Sequence, residues 1–116
     1  MHIEQYREFC ISQEGVTEEF PFGPETLVYK VYGKVFALSG VDNFTSINLK
    51  CDPEYAVELR ERYNAVLPGY HMNKKHWNTI MIDGSIDNNL MKKLILDSYN
   101  LVLKGIPASK RIQESK

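Results

Sequence analysis

The change of hydrophobic period at Thr26 constrains this fold more than any other feature. Before it, residues 2–14 read as an amphipathic helix: Ile3, Tyr6, Phe9, Cys10 and Gln13 fall near one face, with Glu4, Arg7, Glu8 and Glu14 largely on the other. After it the period is two. Thr26–Tyr32, the pair Gly33-Lys34 and Val35–Ser39 read as strand, tight turn and strand, because Val28-Tyr29-Lys30-Val31-Tyr32 is β-branched and aromatic and Gly33 accepts a positive φ. Phe44–Leu49 alternates as a third strand. A helix that gives way to consecutive alternating strands calls for an antiparallel sheet with one face covered.

The second half completes that plan. Asp52-Pro53-Glu54 is a helix start, with an Asp cap, proline in the first helical position and an acid in the first turn, and the helix runs to about Asn64. Asn78–Asp83 reads as the next strand. Asp87 caps a last helix over 88–104, whose inner face carries Leu90, Met91, Leu94, Ile95, Ser98, Leu101 and Val102 and which Gly105 and Pro107 stop. Glu18–Pro24 is expected to be a short extended piece and a turn. Residues 1–106 form one α+β domain, a two-layer sandwich with helices on one face of a mostly antiparallel sheet; 107–116 is a polar, frayed tail.

At 116 residues, 43% hydrophobic and 25% charged, the chain has the composition of a soluble globular domain. It has neither a membrane-spanning apolar run nor a signal peptide, so cytoplasm is the expectation, with a monomer favoured. The net charge of −1 conceals a polarity: up to Thr26 six glutamates face Arg7 alone, so the rest of the chain is net basic. That suits a polyanion partner without demanding one. Cys10 and Cys51 have no metal or redox spacing, and Cys10 reads as a buried thiol.

Pro68–Thr79 (Pro-Gly-Tyr-His-Met-Asn-Lys-Lys-His-Trp-Asn-Thr) holds the chemistry. It gathers the only Trp, two of the three His and an adjacent Lys pair into a turn-rich segment without apolar periodicity. Lys34, Lys50, Lys74 and Lys75 are candidate phosphate contacts; His71, Asn73, His76 and Trp77 are candidate contacts to bases or sugars. The competing readings are plain ones: lysines that blunt strand edges, and a Trp77 that caps the core, which a lone large side chain favours. Lys30 belongs to the same basic set. His71 and His76 with Cys51 have no zinc spacing, and Glu4, Glu8, Glu14, Glu18 and Glu19 offer at most a weak surface site for iron. No metal or other cofactor is expected. Signatures such as GxSxG, a P-loop or HExxH are missing, and no enzyme is expected.

Several segments resemble the MmcQ/YjbR family of small bacterial proteins: Pro21-Phe22-Gly23, the run from Val28 to Ala37, Leu49-Lys50-Cys51-Asp52-Pro53, the Pro68–Thr79 segment and Asp97-Ser98-Tyr99-Asn100-Leu101-Val102. The matches follow in order from about residue 3 to 104. The resemblance implies a frataxin-like (CyaY-like) fold, also described as a double-wing DNA-binding module, and hence a non-enzymatic DNA-binding role. The alternative is a protein- or small-ligand-interaction module on the same fold, with Tyr29, Tyr32 and Tyr70 as exposed anchors.

Overall fold

The computed structural model describes residues 1–69 and 72–114. The elements run α1 (Ile3–Ile11), β1 (Val16–Glu19), β2 (Thr26–Val31), β3 (Lys34–Gly40), β4 (Ser46–Lys50), α2 (Pro53–Arg62), β5 (Val66–Pro68), β6 (Trp77–Met81), α3 (Asn88–Lys104) and α4 (Ala108–Glu114). All strands join one six-stranded sheet in the order β1-β2-β3-β4-β6-β5, antiparallel at every pairing. The architecture is α+β, and α1, α2 and α3 lie against one face. Tyr6 of α1 meets Tyr29 edge-on at 5.5 Å, Tyr99 of α3 meets Phe36 at 5.4 Å, and the buried Asn78 of β6 donates to the Ala56 carbonyl of α2.

Period-two alternation explains which side chains fill the core. Leu27, Tyr29 and Val31 of β2, Ile47 and Leu49 of β4 and Ile80 of β6 point to the helices, where Cys10, Leu59, Met91, Leu94 and Ile95 meet them. The opposite face carries the cross-strand row Glu19–Val28–Leu38–Asn48–Thr79–Leu67. Val28 and Thr79 of that row are buried, and Phe22 and Met72 line a cavity with Leu38 and Asn48 on this side.

Several boundaries differ from the sequence reading for physical reasons. The β2–β3 turn is Tyr32-Gly33, one residue earlier than Gly33-Lys34, with φ of +46° and +87°. Two successive positive φ values match the twist of a tight hairpin. An aromatic residue adopts this conformation because Gly15 leaves room for it: the Tyr32 ring stands where a Gly15 Cβ would clash, and the Tyr32 amide donates to the Gly15 carbonyl. Lys34 therefore opens β3. Val16–Glu19 is a true edge strand. Val66–Pro68 is a short strand hidden by its length, and Ala108–Glu114 is helical where a frayed tail was expected.

One irregularity positions the end of β4. Register shifts between Tyr29 and Lys30, so that Phe36 is an extra residue in β3. Its freed carbonyl accepts from the Ser98 hydroxyl at 2.6 Å, and the Ser98 hydroxyl oxygen in turn accepts the Lys50 amide at 2.8 Å. A single hydroxyl of α3, fully buried, thus stitches β3 to β4 beside Lys50.

Candidate nucleic-acid interface at the basic end of the sheet

Antiparallel pairing sends the candidate residues to one end of the sheet. The β2–β3 turn, the exit of β4 into α2 and the segment joining β5 to β6 all lie there. Lys34 begins β3, Lys50 ends β4, and Trp77 begins β6 directly opposite Lys50. Lys74 and Lys75 precede Trp77 on the same side. Lys34, Lys74 and Lys75 are exposed and Lys50 is half-buried. Among the described residues none of these four enters an ion pair. Lys30 differs: its ammonium lies 3.1 Å from Glu19, which removes it from the basic set.

The described part of the joining segment, 72–76, has a defined build. The Asn73 carbonyl accepts from the amides of His76 (3.2 Å) and Trp77 (2.9 Å), and its side-chain oxygen accepts the Lys75 amide at 2.9 Å. Asn73 is thus an Asx-type turn former. The His76 carbonyl accepts the Cys51 amide at 2.7 Å, and the Trp77 carbonyl accepts that of Gly69 at 2.8 Å. His71 and Tyr70 lie outside the described residues.

Sequence reasoning missed Arg60. Its guanidinium donates to the Asn78 side-chain oxygen at 2.8 Å and to the Lys74 carbonyl at 3.2 Å, latching the lysine pair to α2. A basic residue in the last turn of a predicted helix is an ordinary dipole partner, so its sequence position carried no signal. Asn78, at the start of a predicted strand, was the only hint.

Trp77 corrects an expectation. It does not cap the core: alternation places it with Thr79 on the face away from the helices, half-buried, while Asn78 and Ile80 face the helices. Two proposed anchors also move. Tyr29 is fully buried and donates to Glu18 at 2.6 Å, and Tyr32 packs over Gly15.

The acidic ridge does not assemble either. Glu18 takes a two-pronged ion pair from Arg7 at 2.9 and 3.0 Å, and Glu19 is held by Thr17 and Lys30. Burial alone would raise the Glu18 carboxyl, but its bonds to Arg7 and Tyr29 hold it below the usual range. Among the described residues no three His, Cys, Asp or Glu side chains gather as for a metal, and no helix is long and apolar enough to cross a membrane. Cys51 is buried, and burial followed by Asp97 and Asp52 pushes its thiol up to about 11.

The YjbR family model matches residues 11–101, which include every described side chain of this end. The chain belongs to the YjbR family. It is 30% identical to the uncharacterized protein YjbR of Escherichia coli (strain K12) over 96% of this chain and 95% of the relative. It is 44% identical to the uncharacterized protein YbdF of Escherichia coli O157:H7 over 75% and 72%. Among solved structures, the Deinococcus radiodurans protein DR2400, which carries domain DUF419, superposes with a TM-score of 0.90 at 36% identity, over 97% of this YjbR-family chain and 87% of that one. A protein from Pseudomonas syringae superposes at 0.74 with 26% identity, over 88% and 99%.

Proposed function

We propose that this YjbR-family chain is a non-enzymatic DNA-binding protein, cytoplasmic and monomeric, that meets phosphates with the basic end of its sheet. Lys34, Lys50, Lys74 and Lys75 neutralise phosphates, and His76 or Trp77 makes the planar contact. On this reading the fold is of the frataxin-like type, with the β2–β3 hairpin and the β5–β6 connection as its two wings. The observation that carries it is the convergence of those two connections, and of four lysines without an ion pair among the described residues, on one end of the sheet.

Titration of labelled DNA at two salt concentrations tests it. Four phosphate contacts give a log–log salt slope of about −3 to −4. The double variant Lys74→Ala/Lys75→Ala lowers the slope magnitude by about 2. Binding that is undetectable, or insensitive to salt, ends this proposal. A second reading, a protein- or small-ligand module on the same fold, is favoured by the shallow cavity of about 470 Å³ on the sheet face away from the helices, beside Phe22, which is 71% exposed. It takes over if no nucleic acid binds.

A further inference from the structure

We infer that the phosphate track of this site continues off the sheet end onto helix α2, where Arg60, beside Lys75, takes a further phosphate of the strand; this rests on the DNA-binding reading above. Side chains on a helix lean toward its N-terminus, so Arg60, in the last turn of α2, reaches back to the basic end. There its Nη1 donates to the Asn78 side-chain oxygen at 2.8 Å and to the Lys74 carbonyl at 3.2 Å. Asn78 is itself fixed: it is 1% exposed, and its side-chain amide donates to the Ala56 carbonyl at 3.4 Å. A guanidinium held through one nitrogen keeps a fork of donors to spare. Among the described residues Nε and Nη2 bond nothing, and no carboxylate pairs with Arg60. A cation that is both immobilised and unpaired is ready for a phosphate without further ordering.

The surroundings of Arg60 fit that ligand. Pro53, Glu54, Val57 and Arg60 recur at three- and four-residue steps along α2 and so share one face, and together with Lys75 they line an open groove of about 480 Å³. Val57 is 44% exposed there and, with Pro53, gives the groove an apolar floor on which a sugar can rest while its phosphate meets the cations. Glu54 lines the groove as well. Among the described residues it forms an ion pair with neither cation, and its place in the first turn of α2 is one the helix dipole favours for an acid. Its charge repels a phosphate, which leaves the Arg60 side of the groove as the place to bind. Continuity decides the class of anion. Lys75 belongs both to this groove and to the basic end, so the groove extends the surface of Lys34, Lys50 and Lys74, as a chain of phosphates requires and an isolated anion does not.

The test measures affinity for labelled mixed-sequence DNA as a function of salt, for the full chain and for Arg60→Ala, Arg60→Lys and Glu54→Gln. Arg60→Ala is expected to lower the magnitude of the log–log salt slope by about 1, the signature of one lost phosphate contact. Arg60→Lys keeps the charge, so the slope is expected to recover, while affinity stays about three-fold or more below that of the unaltered chain because an ammonium lacks the fork. Glu54→Gln is expected to bind about two-fold tighter. Arg60→Ala also leaves the Asn78 oxygen without its donor, so urea unfolding checks each variant, and the Nε–H resonance of Arg60 is followed during DNA titration of the unaltered chain, where no fold is at risk. That resonance is expected to shift. Weaker binding by Arg60→Ala at an unchanged slope, with the Arg60 resonance silent, would make Arg60 only a positioning residue for Lys74; it overturns this inference and leaves the DNA-binding proposal standing. No DNA binding by the unaltered chain overturns both.

Discussion

The two ends of the sheet are built from similar connections yet carry opposite chemistry. At one end the segments 20–25, 41–45 and 82–87 hold Glu25, Asp42, Asp83 and Asp87 and no Lys, Arg or His. At the other, Lys34, Lys50, Lys74, Lys75 and His76 outnumber Glu14 and Asp52. Two of these acids have structural tasks: Asp83 accepts from the amide and hydroxyl of Ser85, and Asp87 accepts the Leu90 amide as the cap of α3. Asp52 does likewise for α2. The four lysines have no such task, although the backbone around them is heavily bonded. A net charge of −1 thus resolves into a field directed along the strands, and direction rather than total charge decides where a polyanion docks.

The contrast breaks most severely at Ser98. Ser98→Ala leaves the Phe36 carbonyl and the Lys50 amide buried without their shared partner, and a loss of about 2–3 kcal/mol in urea-unfolding stability is expected. The basic end should loosen before the acidic end, read as faster amide exchange at Lys50 than at Ile82. An unchanged midpoint would show that β3 and β4 close without this hydroxyl.

Lys74→Ala/Lys75→Ala should reduce DNA affinity about ten-fold at moderate salt with no change in unfolding midpoint, whereas Asp42→Asn/Asp83→Asn should change affinity about two-fold or less. Equal effects from both pairs would mean that total charge, not its direction, governs binding. Asp87→Ala removes a cap and should cost about 1 kcal/mol of stability while leaving affinity intact.

The smallest effect belongs to Glu18, which lies outside both charged ends. Its carboxyl is depressed in the fold, so its contribution is present above the ordinary glutamate value of about 4.3 and is lost as pH falls through the lower folded value. Because Arg7 is 47% exposed, the amount is under about 1 kcal/mol. Glu18→Gln should flatten that part of the acid limb in pH-dependent unfolding; an unaltered limb would assign it to other carboxylates.

Much of this was legible in the sequence, and the omissions share a cause. The 88–104 helix emerged with its observed ends because Asp87 and Gly105 mark them locally. The hairpin shifted by one residue because a positive φ at Tyr32 depends on Gly15, far away along the chain. Arg60, Ser98 and Trp77 show the same limit. Arg60 looked like a solvated helix terminus, Ser98 read only as a member of an inner face, and Trp77 was assigned to the wrong layer. Each role is set by a partner in another element. That Lys34, Lys50, Lys74 and Lys75 share an end follows only from strand order and register.

Amide chemical-shift mapping during titration with DNA tests the two-ended account most directly. It predicts perturbations in residues 32–36, 50–52 and 72–79, with segments 20–25, 41–45 and 82–87 silent. Shifts centred on the acidic turns, or spread evenly over both ends, would contradict it.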